Sequence, residues 1–305
     1  MIFSKIFTQK EIERFQKEKA LLLVSGGPDS VFLFHLFLYF QKKYGFLFEV
    51  LHVNHHERGE ESDEEEEFVK KICENNGILC HTRDFFSSHK KNFQQEAREA
   101  RKSFCFELSQ TQNFIVVTAH HEDDQMETLC MRKSRGTGIK GMSGMRRWQE
   151  FFYEKKHLYF FHPLLGFSKK TILKFLEGKN ISYKKDSSND SLKYYRNRVR
   201  KIVDSEKEKG EIFSLVKTLG AVDDYFTSRL RCYLEKDFFS LSKVISDSWP
   251  EEMQFRFFSH MMAKCGYQKQ IERKHFRLFR HTQEKIVLDY ASCSRDEHGW
   301  HFSNH

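Results

Sequence analysis

No two of the seven cysteines are spaced C-x-x-C, and their number is odd. Cys73, Cys80, Cys105, Cys130, Cys232, Cys265 and Cys293 suggest neither a zinc site nor a disulfide framework, so reduced thiols are expected. Long apolar runs are missing too. The longest, Val31 to Phe40, is interrupted by His35 and falls far short of the ~20 residues that span a bilayer. Met1 to Lys19 is amphipathic and charged, without the apolar centre of a signal peptide. A soluble, cytoplasmic protein with no membrane partner is expected. There is no internal repeat and no low-complexity tract. Proline is scarce at 3 residues and phenylalanine abundant at 32, and neither bias points to a function.

What is present suits a two-domain globular protein. A chain of 305 residues can bury two real cores, and 39% hydrophobic with 31% charged residues excludes a disordered chain. The net charge of +8 permits a polyanionic partner without requiring one.

The apolar run Ala20 to Val24 leads into Ser25-Gly26-Gly27-Pro28-Asp29-Ser30, which opens the apolar run Val31 to Phe40. This is strand, glycine turn, helix. The glycines let the backbone turn sharply and approach a ligand. Unpaired N–H groups at the helix start, with Ser25 and Ser30, favour a phosphate. No lysine follows the glycines, so this is not the G-x-x-x-x-G-K-[ST] loop, nor does it fit G-x-G-x-x-G.

Strands are expected over Leu47 to Val53, Ile78 to Phe85 and Phe114 to Thr118. Helices are expected over Glu60 to Asn76, Asn92 to Leu108 and Glu122 to Lys133, the first stopped by Asn76-Gly77. Alternating strands and helices give an α/β, doubly wound, mostly parallel sheet, with ligands beyond the carboxyl ends of its strands. From about Ser205 the pattern turns helical, in Ile212 to Leu234 and Glu252 to Met262. Asp204 to Gly210 is the best linker, dividing a first domain, 1–203, from a smaller, mainly helical one, 204–305. The acidic run around Glu64 to Glu67 reads as a solvated helix face.

Three further segments carry chemistry. In His120-His121-Glu122-Asp123-Asp124-Gln125-Met126-Glu127, Asp124 and Glu127 share one helix face beside the glycine loop. Paired carboxylates beside a triphosphate suit magnesium; capping of the helix by Asp123 or Asp124 is the plainer use. The histidine pair lacks the partners and spacing of a zinc site. Arg98 and Arg101 could meet phosphates or form a solvated face. The basic loop Arg135 to Gly141, with Lys140, suits nucleic-acid phosphates or a second substrate, or is plain surface. Lys193 to Lys201 interleaves Tyr194 and Tyr195 with Arg196, Asn197, Arg198 and Arg200, a pattern that can stack on bases and hold phosphates, or form a basic surface helix.

The chain resembles the tRNA(Ile)-lysidine synthetase family. The loop looks like the SGGxDS pyrophosphate loop of ATP pyrophosphatases (PP-loop enzymes), which split ATP into AMP and pyrophosphate. The matches are SGGPDS at 25–30, a partial HVNHxxR at 52–58, AREAR at 97–101 and TAHHEDDQMET at 118–128. RGTGIKGMSG at 135–144, HPLL at 162–165, and DSSND with RNRVR within 186–200 complete the set. They span about residues 15 to 200.

The resemblance implies a ligase that adenylates the C2 carbonyl oxygen of the wobble cytidine of CAU-anticodon isoleucine tRNA and then joins L-lysine to C2, releasing AMP and pyrophosphate. It implies ATP at Ser25, Gly26, Gly27, Pro28, Asp29 and Ser30, and Mg2+ at Asp29 and Asp124. Asp124 and Glu127 lie at the metal or bind the lysine ammonium. Arg98, Arg101, His120 and Arg196 to Arg200 stabilise phosphate charge or hold the tRNA, with Arg135 and Lys140 also on the tRNA. A homodimer is compatible with it. Three positions depart from the family: His162 where arginine usually precedes Pro-Leu-Leu, Glu57 in place of an apolar residue, and no proline within Asp204 to Gly210. The chain is also short after the first domain. A tRNA thiolase is the rival enzyme, and the missing C-x-x-C argues against it. An amide ligase lacks its usual extra domain here, and a non-catalytic nucleotide-binding module has no use for a full set of carboxylates.

Overall fold

The computed structural model describes residues 3, 6–57, 59–87, 93–134, 136–153, 156–184, 206–234, 240–242, 248–265, 267, 271–281, 285–288 and 291–304. The chain forms two compact units, one of residues 1–131 with 145–209, the other of 132–144 with 210–305. The second therefore includes most of the glycine-rich basic segment, which the sequence reading kept with the first domain.

The first unit holds a six-stranded sheet of order β3-β2-β1-β4-β6-β5. Its strands are β1 (Lys19–Leu23), β2 (Phe48–Asn54), β3 (Cys80–Asp84), β4 (Phe114–Val117), β5 (Trp148–Tyr153) and β6 (Lys156–Phe161). β1 pairs in parallel with β2 and β4, as do β2 with β3 and β4 with β6; β5 runs antiparallel to β6 at the edge. The helices are α1 (Gln9–Lys17), α2 (Pro28–Tyr44), α3 (Glu60–Glu74), α4 (Phe93–Thr111), α5 (Glu122–Ser134), which runs on into the second unit, and α7 (Lys169–Gly178). The β5–β6 hairpin was not foreseen, because its aromatic, charged strands carry no turn signature.

Each inner strand buries alternate residues in two different cores. Ala20 and Leu22, Phe48 and Val50, Ile115 and Val117, and Phe161 join one cluster. Leu21, Leu51, Phe114 and Val116, and Leu158 and Phe160 join the other, with Cys105 and Phe106 of α4. The first cluster explains the abundance of phenylalanine: Phe15, Phe32, Phe34, Phe37, Phe40 and Phe46 are all 2% exposed or less within it. Burying each of these rings contributes roughly 1.5–3 kcal/mol before entropy is counted.

α2 begins where the sequence predicts. Gly27 caps it, Pro28 takes its first position, Asp29 lies in its positive first turn, and Gly45 ends it in the left-handed region at φ +75°. Gly77, φ +65°, likewise follows the end of α3. The acidic face of α3 is not solvated throughout. Glu66 pairs with Lys70 and accepts from Asn54 Nδ2 at 3.0 Å, and Asp63 accepts from the same amide, so they hold the end of β2.

The second unit contains α6 (Ile139–Met142), α8 (Glu206–Leu234), α9 (Glu251–Lys264) and α10 (Arg273–His281). It also has β7 (Ser240–Ser242), β8 (Ile286–Leu288), β9 (Ala291–Arg295) and β10 (Gly299–Asn304), an antiparallel sheet of order β7-β10-β9-β8. Helices dominate it, and the sheet is an addition to the sequence reading. Its signal lay in Asp296-Glu297-His298-Gly299. Asp296 Oδ1 accepts from the N–H groups of His298 and Gly299, closing the β9–β10 turn. Trp300, Phe257, Phe258, Phe276 and Phe279 are buried in its core.

Candidate active site

The strand order turns round at β1, between β2 and β4, and the glycine loop follows β1 at that switch point. Only one of its glycines needs to be one. Gly26 has φ +90°, whereas Gly27 is ordinary extended backbone with room for a methyl group. Ser30 Oγ accepts from Ser25 N–H at 3.2 Å and donates to Gly27 O at 2.9 Å, which fixes the loop to the first turn of α2. The leading N–H groups of that helix have no intrahelical partner and its dipole favours an anion.

Asp29 and Asp124 converge on one imidazole. His121 Nε2 lies 3.6 Å from Asp29 Oδ2 and 3.6 Å from Asp124 Oδ2. In the neutral ring Nδ1 accepts from the Asp123 N–H at 3.2 Å, so Nε2 bears the hydrogen facing both carboxylates. Lys169, at the start of α7, donates to both oxygens of Asp29 at 2.7 and 2.6 Å. Burial pushes Asp29 up, but His121 and then Lys169 outweigh it and hold the carboxyl below its ordinary range. Burial pushes His121 down, but Asp29 and Asp124 hold it above the ordinary imidazole value. Asp124 also reaches back over the first turn of α5, accepting from the N–H of His121, the residue before the helix, at 2.9 Å. Glu127 is buried one turn on.

The other half of the site is basic. Continuing the alternation of β4 past Val117 puts Thr118 and His120 on the α4 side of the sheet and His121 on the α2 side. Thr118 Oγ1 lies 2.7 Å from His120 Nδ1 and 2.5 Å from His162 Nδ1. Desolvation by the packed protein around it, with the charges of Arg101 and Arg98 over the opposing Asp124, holds His120 below the ordinary value although its ring reaches the surface. Burial, His120 and Arg98 push His162 down to about 3. Arg98 and Arg101 of α4 thus act on the same group of side chains.

The structure joins Ser25, Gly26, Gly27, Pro28, Asp29, Ser30, Arg98, Arg101, His120, Asp124 and Glu127 in the first unit. Lys140 is exposed on α6 in the second. There a methyl group at Gly141 would stand 1.7 Å from Thr137 Oγ1 and 2.9 Å from its Cβ, whereas one at Gly138 would meet only the movable guanidinium of Arg273. Arg135, Arg196, Asn197 and Arg200 lie outside the described residues. Sequence reasoning gave no role to His121, Thr118 or Lys169. Alternation along β4 could have separated the two histidines, but nothing local marks Lys169.

Among the described residues no three His, Cys, Asp or Glu side chains are arranged to hold a metal by themselves. Magnesium bound with a triphosphate needs only one or two carboxylates, and two converge here with cationic groups against them. The donor set fits.

The PP-loop domain profile matches residues 3–206. The tRNA(Ile)-lysidine synthase of Chlorobaculum tepidum is 32% identical over 71% of this chain and 67% of its own length. The chain belongs to the tRNA(Ile)-lysidine synthase family of PP-loop proteins. Family members from Streptococcus sanguinis, 36% identical over 69% of this chain and 47% of theirs, and Clostridium acetobutylicum, 33% over 61% and 40%, agree. The chain spans about half the length of the curated relatives it matches. A U34-tRNA thiolase from Methanococcus maripaludis superposes with a TM-score of 0.55 over 70% of this chain and 77% of its own. At 16% identity that likeness shows the shared fold alone. No described helix is long and apolar enough to cross a membrane.

Proposed function

We propose that this chain is an ATP-dependent ligase that joins L-lysine to C2 of the wobble cytidine in CAU-anticodon isoleucine tRNA. The observation that carries the reading is the convergence of Asp29 and Asp124 on His121 beside the glycine loop, in a member of this family. The loop and the α2 N-terminus bind the phosphates. The cytidine O2 attacks the α-phosphorus and pyrophosphate leaves; a lysine amine then attacks C2 and AMP leaves. Asp29 and Asp124 would hold Mg2+, and when bound it would neutralise charge on the leaving pyrophosphate. Lys169 and Arg98 with Arg101 supply fixed positive charge on either side, where it costs no reorganisation during the reaction. Arg135, Lys140, Arg196, Asn197 and Arg200 hold the tRNA.

The test is transfer of radiolabelled lysine to a CAU-anticodon isoleucine tRNA transcript in the presence of ATP and magnesium. Label is expected on that tRNA and not on one whose wobble base is uridine. A folded protein that transfers no label would overturn the reading. Sulfur incorporation in its place would restore the thiolase.

A further inference from the structure

His162 is buried against Thr118 and His120, and its contacts fix where the hydrogens of this group lie. Thr118 Oγ1 faces both His120 Nδ1 and His162 Nδ1 and has one hydrogen, so it donates to one ring and accepts from the other. The two Nδ1 atoms are 3.4 Å apart, which suits one N–H and one bare nitrogen. The far side of His162 decides which is which. Its Nε2 lies 3.3 Å from the amide oxygen of Gln149 on β5, an acceptor, so the hydrogen of the neutral ring is on Nε2 and Nδ1 is bare. Thr118 therefore donates to His162 and accepts from His120 Nδ1–H. Nε2 of His120 is left as the nitrogen with the lone pair.

We propose that His162 and Thr118 are positioning residues that fix the tautomer of His120, so that its Nε2 is offered to the substrates as a hydrogen-bond acceptor. An arginine at 162 has no acceptor and could not set this order. Both rings are neutral in this arrangement, in keeping with the burial of His162 and with Arg98 and Arg101 nearby, although Asp124 draws His120 the other way. An acceptor nitrogen does not suit a phosphate oxygen. It suits an N–H donor, and on the function proposed above that donor is the amine nucleophile. His120 then belongs with the lysine step and not with phosphate charge.

The test reads the tautomers directly in the full chain labelled with 15N-histidine, by two-bond 1H–15N correlation, with His120→Gln and His162→Asn assigning the signals. His120 is expected as the Nδ1–H form and His162 as the Nε2–H form. His162→Phe and Thr118→Val each remove a link, and both should let His120 redistribute between tautomers. His162→Asn, whose side-chain oxygen can accept from Thr118, should keep the Nδ1–H form. In lysine transfer, His162→Phe should lower kcat about a hundredfold with the KM for ATP unchanged, and His162→Asn should recover most of it. An Nε2–H or cationic His120 in the wild type, or one unmoved in both His162→Phe and Thr118→Val, overturns the proposal. The spectra do so whether or not lysine is the substrate, which separates this failure from failure of the ligase reading.

Discussion

His120 and His121 share a peptide bond and lie in opposite surroundings. The pleat of β4, carried beyond its last paired residue, sends His121 to the α2 side among Asp29, Asp124 and Asp123. It sends His120 to the α4 side with Thr118, His162 and the charges of Arg98 and Arg101. One ring is held toward its cation and the other toward neutrality. The difference is one of geometry, since identical side chains one residue apart acquire separate jobs from a strand's two-residue period. The acidic half suits a metal ion and the pyrophosphate end of ATP. The other half, where His120 is held neutral beside Arg98 and Arg101, suits a nucleophile that must lose a proton.

Breaking the acidic half should have the largest effect. Asp124→Ala is expected to lower AMP release by a factor on the order of a thousand or more, through loss of electrostatic stabilisation at the leaving group. The same change removes the bond that Asp124 makes to the His121 N–H at the start of α5 and should cost only about 1 kcal/mol of stability. Turnover assays and urea melts on one preparation separate the two losses. Near-normal AMP release in a folded variant would contradict the assignment.

A smaller effect separates the two rings by pH. His162 folds as a neutral ring with its pKa near 3, against about 6.5 when unfolded. Between those values the unfolded chain binds a proton that the folded one refuses, so this side chain withdraws stability as pH falls below about 6.5. By pH 5 the loss relative to His162→Asn should approach 2 kcal/mol. His121 has the opposite sign. Its folded pKa is raised, so the stability it contributes is full below about 6.5 and fades as pH rises through the folded value. Urea melts of wild type, His162→Asn and His121→Gln from pH 5 to 8 should therefore diverge in opposite directions. Curves that move together would show that the two rings share one environment.

Much of this was legible in the chain. The glycine loop, the α5 carboxylates and the parallel alternation of strands and helices are local patterns, and each appears close to its expected bounds. Sequence motifs could not show which ring of the histidine pair meets which neighbour. That depends on Asp29, ninety residues earlier, and on His162, forty residues later. Lys169 was invisible for the same reason, since its partner is 140 positions away. Gly26 and Gly27 repeat the lesson on a smaller scale, because only Gly26 has a backbone angle that requires glycine. The β5–β6 hairpin and the second unit's sheet were missed because their short strands mix aromatic and charged residues, so no clean alternation marks them.

On the proposed function, this site cleaves ATP between its α and β phosphates in the service of the tRNA. The most direct measurement is the nucleotide product formed with ATP, magnesium, lysine and the CAU-anticodon tRNA. One AMP and one pyrophosphate per lysine joined, with neither formed in quantity when the tRNA is omitted, is the expected result. ADP with inorganic phosphate, or AMP release indifferent to the tRNA, would contradict it.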